Sequence, residues 1–164
     1  EHNGNNWIYE NYQRNQIKLG LNNLNPNDLI LISDVDEIPD MKKVGTPSKT
    51  ISCHMHMFEY SFKYTFTGEP WFGTVVTDAK SFRKLGPNFF RDNRWRFPHT
   101  LHAGWHLSSF GDAKHVWNKI QNYAHAKDAK HSHQSFEDFK SYLERGLHSD
   151  GLTKLVPPVG VPLP

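Results

Sequence analysis

The sequence predicts an α/β or α+β domain in which helices cover a sheet. Helical apolar spacing occurs near both ends of the chain, short apolar and β-branched runs lie between, and no internal repeat is present. The 164 residues are 37% hydrophobic and 13% aromatic, which is enough to build a hydrophobic core. We therefore expect one domain over residues 1–164, with a proline-rich tail at 155–164 that has no regular structure.

A helix and a strand are predicted in the first forty residues. Residues 7–20 have helical spacing and end at Gly20, a common residue at a helix C-terminus. The apolar residues that share one face of this helix are Ile8, Tyr12 and Leu19. Residues 29–32 form a short, fully apolar run, which is typical of a central strand buried on both faces. Pro39 ends the segment that follows this strand.

The middle of the chain predicts further strands. Residues 51–60 alternate in polarity, and residues 72–78 are rich in β-branched side chains, so both segments are predicted to be strands. A loop rich in Arg, Asn, Phe and Pro is expected at 86–100. Residues 101–111 are predicted to be a strand or a loop that Gly104 interrupts.

Two helices are predicted in the last third of the chain, at 112–126 and 135–146. The residues with helical spacing are Val116, Ile120 and Ala124 in the first helix, and Phe136, Phe139 and Leu143 in the second. Ser135 and Asp138 form the pattern of a capping box at the start of the second helix, and Gly146 is expected at its end.

Charge and composition bound the classes of function. The formal net charge is only +2, so no global basic field indicates a nucleic-acid partner. No apolar run is long enough to cross a membrane, and no signal peptide is recognisable. Cys53 is the single cysteine and no N-glycosylation sequon occurs. Both facts favour a reducing, cytoplasmic compartment.

An acidic segment follows the first predicted strand. The sequence LISDVDEIPD occupies residues 31–40. In extended backbone Asp34 and Asp36 would point to the same side of the chain, and two close carboxylates favour a cation between them. Oxygen ligands in a hydrated site suit Mg²⁺ or Mn²⁺, and such an ion commonly holds a diphosphate. The alternative is a solvated loop or a helix cap.

The acidic segment and a later Gly-Trp-His block together resemble glycosyltransferase family seventeen, which includes β-1,4-mannosyl-glycoprotein 4-β-N-acetylglucosaminyltransferases. The residues that carry the resemblance are Trp7, Tyr12, Arg14, Asp34, Asp36, Glu37, Ile38, Pro39, His54, Met55, Tyr60, Phe62, Gly104, Trp105, His106, Arg145 and Gly146. The animal enzymes usually continue the Gly-Trp-His block with cysteine, whereas this chain has Leu107. The resemblance implies a GT-A-like α/β fold, a mixed sheet flanked by helices.

The resemblance also implies a reaction and a set of ligands. A metal-dependent inverting enzyme of this kind would transfer N-acetylglucosamine, or a related sugar, from a UDP-sugar to a hydroxyl of a glycan or glycoconjugate. Asp34, Asp36 and His106 would bind Mn²⁺ or Mg²⁺, and Glu37 is the catalytic candidate. The candidate substrate-binding residues are Arg14, Trp71, Gly73, Gly104 and Trp105. Aromatic rings such as those of Trp71 and Trp105 bind the apolar faces of sugars.

Two further expectations follow from the resemblance. A GT-A fold begins with a strand-helix-strand unit, and this sequence shows only one helix before the acidic segment. The sequence therefore predicts an N-terminally truncated domain with little transferase activity by itself. A eukaryotic full-length protein of this kind would be a type II membrane enzyme in the Golgi lumen.

Several alternatives remain open at this level. The spacing of His102 and His106, or of His54 and His56, would also suit zinc, although buried, hydrogen-bonded histidines are the commoner case. Arginines that are candidates for phosphate contact are Arg83, Arg91, Arg94 and Arg96. Other carboxylates that could serve as the base are Glu59, Asp78 and Asp92. A hydrolase and a non-catalytic sugar- or nucleotide-binding remnant are the rival functions.

Overall fold

The computed structural model describes residues 7–122 and 135–164. The α-helices are α1 (Trp7–Gln16), α2 (Met41–Val44), α3 (Ala79–Leu85), α4 (Pro87–Asp92), α5 (Ala113–Asn122) and α6 (Phe136–Glu144). Short 3-10 helices occupy Ile17–Gly20 and Arg94–Arg96. The strands are β1 (Leu29–Ile32), β2 (Glu37–Pro39), β3 (Ile51–Glu59), β4 (Trp71–Asp78), β5 (His99–Thr100) and β6 (Gly104–Ser108). Across these described residues, no helix has both the length and the apolar character that a membrane span requires.

The strands form one mixed sheet. The order is β1-β4-β3-β6-β2, and β5 pairs with β3. Strand β4 is antiparallel to both β1 and β3, with Leu29 opposite Asp78, whereas β5 is parallel to β3. The register between β3 and β4 shifts between Ser52 and His54. The predicted α/β class, a mixed sheet flanked by helices, is confirmed and is compatible with a GT-A-like fold.

Strand β1 has the predicted bounds but lies at an edge of this sheet. Ile30 and Ile32 are buried, whereas Leu31 between them is exposed. This alternation is the pattern of a strand with one covered face. The prediction of a central strand buried on both faces is therefore wrong, because four apolar residues in a row do not distinguish the two cases.

The contacts divide the chain into two compact units, where the sequence predicted a single domain. The first comprises residues 1–55 and 71–105, and the second comprises 56–70 and 106–164. In the first, Ile30, Ile32, Val75, Ala79, Phe82 and Phe90 form one core cluster, and Val44, Ile51, Cys53, Met55, Val76 and Ala103 form another. In the second, the cluster is Tyr60, Val116, Ile120, Phe139 and Leu155.

Local sequence signals account for the helices of the second unit. The capping box at the start of α6 is confirmed, because the Ser135 and Asp138 side chains each accept a hydrogen bond from the other's backbone N–H. Gly146 follows the end of α6 with φ of +67°, a conformation that favours glycine. Helix α5 is confirmed up to Asn122. The rest of its predicted range, with Ala124, lies outside the described residues.

In the first unit, the structure differs in part from the predicted helix at 7–20 and from the predicted loop at 86–100. The helix predicted at 7–20 is confirmed as α1 followed by a 3-10 turn, but Ile8, Tyr12 and Leu19 are exposed, so no described residue covers that apolar face. The loop predicted at 86–100 is wrong, because α4 and a 3-10 helix occupy most of it. Gly86 followed by Pro87 at the first helical position was the signal for α4.

Gly104, at the start of β6, allows a close backbone approach. A Cβ there would lie 2.4 Å from the Ile38 carbonyl oxygen and 2.9 Å from Pro39 Cα, and φ is +150°. Backbone atoms cannot rotate away as a side chain can. We expect Gly104→Ala to lower the free energy of unfolding by about 3 kcal/mol, as measured by urea denaturation.

Gly20 provides the matched control for this substitution. No described atom lies within 4 Å of the place where a Cβ would stand at Gly20. Gly20→Ala should therefore leave the free energy of unfolding within about 0.5 kcal/mol of the wild-type value. Equal effects of the two substitutions would contradict the close approach of β6 to the Ile38 backbone.

Candidate active site

The acidic segment is a turn between β1 and β2. The Glu37 N–H donates to the Asp34 carbonyl oxygen at 3.1 Å, and Val35 at the tip is fully exposed. Asp residues favour such turns because their short side chains bond to nearby backbone groups. The premise that Asp34 and Asp36 lie in extended backbone is therefore wrong. Strand alternation does not place their carboxylates on one side.

Glu37 is the buried centre of this turn. Its side chain has 0% exposed surface. Its Oε1 accepts hydrogen bonds at 3.1 Å from Trp71 Nε1 and from Arg91. Further donors to Oε2 are Ser33 Oγ, the Asp34 N–H and Thr74 Oγ1, at 3.2–3.3 Å. A carboxylate enclosed in this way has no surface to offer a substrate hydroxyl, so its burial favours a positioning role over the predicted catalytic one.

Arg91, on α4, supplies the positive charge of the site. Its side chain is only 4% exposed. Nη1 donates to both Glu37 carboxylate oxygens at 3.1 Å and to the Gly73 carbonyl oxygen at 3.2 Å, while Nη2 bonds to Asp34 Oδ2 and Glu37 Oε1. One planar guanidinium thus joins the two carboxylates, a geometry that lysine cannot reproduce.

The cation that neutralises Asp34 in this structure is the guanidinium of Arg91. A second guanidinium, that of Arg14 on α1, lies 3.9 Å from Asp34 Oδ1 and is also bonded to Glu10. Within residues 7–122 and 135–164, no group of three or more His, Cys, Asp or Glu residues is arranged to hold a metal ion. The protein does not form a complete metal cage there, and the metal roles of Asp34 and Asp36 stay predictions.

The predicted substrate-binding residues have mostly packing contacts. The Arg94 guanidinium lies over the Trp71 ring, 5.1 Å from its centroid. A Cβ at Gly73 would lie 2.5 Å from Met55 Sδ and 3.0 Å from Glu37 Cδ. Trp71, which also donates to Glu37, and Gly73 therefore pack against the buried side of the acidic turn. Trp105 is half-buried in β6. The substrate contacts of all these residues remain predictions.

Comparison with known families gives the class of protein. The model of glycosyltransferase family 17 matches residues 1–155. The chain belongs to glycosyltransferase family 17. This confirms the resemblance seen in the acidic segment and the Gly-Trp-His block, and it identifies the chain as a transferase domain. No curated protein and no solved structure matches the chain.

The family 17 domain carries a predicted metal ligand in its second unit. His106, in β6, is buried and belongs to the second unit, whereas Asp34 and Asp36 belong to the first. Its role as a metal ligand stays a prediction. The helical zinc pair of His102 and His106 is excluded by geometry, because His102 has φ of +54° and β6 begins between the two.

The other histidines have local roles or lie outside the described residues. His54 and His102 are in edge-to-face contact at 5.4 Å, and burial together with the charges of His102 and His99 lowers the pKa of His54. His125, His131 and His133 fall in the part of the family 17 domain that the structure does not describe. Sequence reasoning assigns them no site.

The three alternative bases differ sharply in environment. Asp78 caps α3, and hydrogen bonds from Ser81 lower its pKa. Asp92 is exposed at the end of α4. Glu59 is 2% exposed, and burial raises its pKa to about 8. In the second unit of this family 17 domain, Glu59 is therefore a buried carboxyl that keeps its proton near neutral pH.

Two arginines of the site were not separable by sequence reasoning. Arg91 and Arg94 were both predicted to lie in the loop at 86–100, whereas the first is buried and the second is half-buried over Trp71. The helix-start signal of Gly86 and Pro87 could have shown that Arg91 lies on a helix. Nothing in the local sequence indicates that its partners are 54 and 57 residues away.

Proposed function

We propose that this chain transfers N-acetylglucosamine, or a related sugar, from a UDP-sugar to a hydroxyl of a glycan or glycoconjugate, with inversion. The observation that carries the proposal is the family match over residues 1–155. The acidic turn adds support, because ligand sites of open α/β sheets gather where strands end. Asp34 and Asp36 follow directly after β1.

The donor set at this turn fits a divalent cation that binds together with the nucleotide. Mg²⁺ is usually held by one or two carboxylates plus substrate phosphates and not by a cage of protein ligands alone. Asp36 is half-buried and Asp34 is 39% exposed. Asp34 also pairs with Arg91, and Asp36 is the second carboxylate of the turn that we propose as a direct ligand. Such an ion, when bound, neutralises the charge of the departing diphosphate.

The remaining side chains position the turn. Glu37 and Arg91 form a buried ion pair that fixes the backbone of Asp34 and the start of β2. Gly73 leaves room for the Glu37 carboxylate, and Trp71 donates to it from the same strand, β4. This arrangement holds Asp34 in place before any ligand arrives, which reduces the ordering that binding requires.

Replacement of Asp36 by alanine tests this proposal. We expect wild-type protein to bind UDP more tightly in the presence of Mn²⁺ than in its absence. Asp36→Ala should remove most of that metal-dependent gain, at least tenfold in Kd, because it deletes a charged ligand. Isothermal titration calorimetry with UDP and UDP-N-acetylglucosamine, with and without Mn²⁺, measures the effect.

Asp92→Ala is the matched control, because it removes an exposed carboxylate at the end of α4. It should leave the metal-dependent gain unchanged. An Asp36→Ala protein that keeps the full gain would remove this residue from the metal site. Sugar binding that needs neither nucleotide nor metal would instead support the rival function, a non-catalytic sugar-binding module.

A further inference from the structure

Arg94 is a fixed guanidinium beside the acidic turn. It lies in the 3-10 helix Arg94–Arg96, directly after α4. Its Nη1 donates to the Arg91 carbonyl oxygen at 2.8 Å, and its guanidinium stacks over the Trp71 ring at 5.1 Å. Trp71 and Arg91 both donate hydrogen bonds to the Glu37 carboxylate, and we call these three residues the Glu37 network. Both contacts of Arg94 are therefore to this network. The guanidinium is therefore oriented by the same structure that holds the turn.

The charges of the site leave Arg94 without a carboxylate of its own. Arg91 is committed to Asp34 and Glu37, and Arg14 is bonded to Glu10. Among the residues that the structure describes, no carboxylate forms an ion pair with Arg94. Burial and the nearby charges of Arg91 and Arg14 lower the pKa of Arg94, and they outweigh the charges of Glu37 and Asp34, which raise it. A half-buried cation repelled by a second arginine gains more from an added anion than a solvated one does.

We propose that Arg94 binds a phosphate oxygen of the diphosphate in the nucleotide-sugar donor. This inference rests on the proposed function and names a residue of that same site. A guanidinium offers planar paired donors that match phosphate oxygens. Because the Trp71 stack and the Arg91 carbonyl already fix its orientation, little side-chain freedom is lost on binding. The alternative is a cation–π contact that only stabilises the fold.

The chain provides a matched control two residues away. Arg96 stacks over Trp95 at 4.5 Å, and that pair is exposed. It has the same chemistry as the Arg94–Trp71 pair and lies on the same 3-10 helix. In the described part of the chain, Arg96 forms no side-chain hydrogen bond or ion pair with the Glu37 network. A general effect of losing one arginine would therefore appear equally at Arg96.

The test compares Arg94→Gln with Arg96→Gln in the full chain by calorimetry. The ligands are UDP, uridine and inorganic pyrophosphate. We expect Arg94→Gln to weaken binding of UDP and of pyrophosphate at least tenfold, because a charge-assisted hydrogen bond is lost. Uridine binding should not change. Arg96→Gln should leave all three affinities at the wild-type values.

Every other outcome overturns either the proposal for Arg94 or the proposed function. Unchanged UDP affinity in Arg94→Gln would reduce Arg94 to a structural stack and leave the proposed function standing. If the wild type binds pyrophosphate but not UDP, a nucleotide-sugar donor is ruled out. The effect of Arg94→Gln on affinity is then measured with pyrophosphate alone. Absence of binding for both ligands rejects both proposals. If circular dichroism shows that Arg94→Gln does not fold, Arg94→Lys replaces it. Lysine keeps the charge but lacks the paired planar donors, so a smaller but measurable loss of affinity for UDP and pyrophosphate is expected.

Discussion

Replacing Arg91 by methionine is expected to lower the free energy of unfolding by about 3–5 kcal/mol. The substitution leaves the Glu37 carboxylate with 0% exposure and without its guanidinium partner. A buried charge that has lost its partner costs far more than the pair contributed while intact. Urea denaturation at pH 7 measures the change, and a shift of the midpoint without a change in slope indicates a change in stability alone.

Two companion variants separate this effect from general loss of an arginine. Arg96→Met removes an exposed guanidinium from the same segment and should cost no more than about 0.5 kcal/mol. The double variant Arg91→Met with Glu37→Gln should be more stable than Arg91→Met alone, because no buried unpaired charge remains. If Arg91→Met and Arg96→Met cost the same, the buried pair of Arg91 and Glu37 does not exist in solution.

The ion pair of Arg91 with Asp34 should contribute less to stability than its ion pair with Glu37. Asp34 is 39% exposed, so solvent screens its interaction with Arg91. Asp34→Asn is therefore expected to change stability only slightly and to act mainly on ligand binding. Asp34 and Glu37, which share Arg91, are therefore expected to have different roles. Glu37 supports the fold of the turn, and Asp34 lies where a ligand can reach it.

Much of the fold could be predicted because its signals are local. β1, β3 and β4 are recognisable from apolar or alternating runs, and α6 from its capping box. Helix α4 was not predicted, although Pro87 marks its start, because the Arg, Asn, Phe and Pro content of the segment is also typical of a loop. The edge position of β1 was unpredictable, since strand order is set by pairing with a distant segment.

The candidate site was only partly predictable for the same reason. The acidic turn and the Gly-Trp-His block are contiguous in sequence and therefore visible. The pairing of Arg91 with Asp34 and Glu37 links residues that are distant in the chain. The sequence predicts a metal ion at Asp34 and Asp36, and this stays a prediction; the sequence does not show that the fold brings the Arg91 guanidinium to Asp34 and Glu37. Sequence reasoning identified the negative charges and could not identify what neutralises them.

A rise in pH from about 4.5 to 8 is expected to destabilise the chain through Glu59. Burial raises the pKa of this carboxyl from its ordinary value of 4.5 to about 8. The nearby charge of Lys119 and a hydrogen bond from Ser108 lower its pKa, but by less than burial raises it, and the charge of Asp150 adds to the rise. The folded state therefore holds a proton that the unfolded state releases.

The sign of the effect follows from this difference in bound protons. Stability from the retained proton is fully present below pH 4.5 and is lost as pH rises through about 8. The slope is about 1.4 kcal/mol per pH unit within that window, or on the order of 5 kcal/mol in total. Above pH 8 the penalty of a buried charge remains, and the slope disappears.

Glu59→Gln isolates this contribution because glutamine has the same shape and cannot ionise. We expect the variant to be less sensitive to pH than the wild type and clearly more stable at pH 9, while the two have similar stability at pH 4.5. Urea denaturation of both proteins across this range gives the difference at each pH. Glu69→Gln, which removes an exposed carboxylate, is the control. Parallel stability profiles for wild type and Glu59→Gln would show that Glu59 ionises freely, and that the second unit does not bury it as the structure indicates.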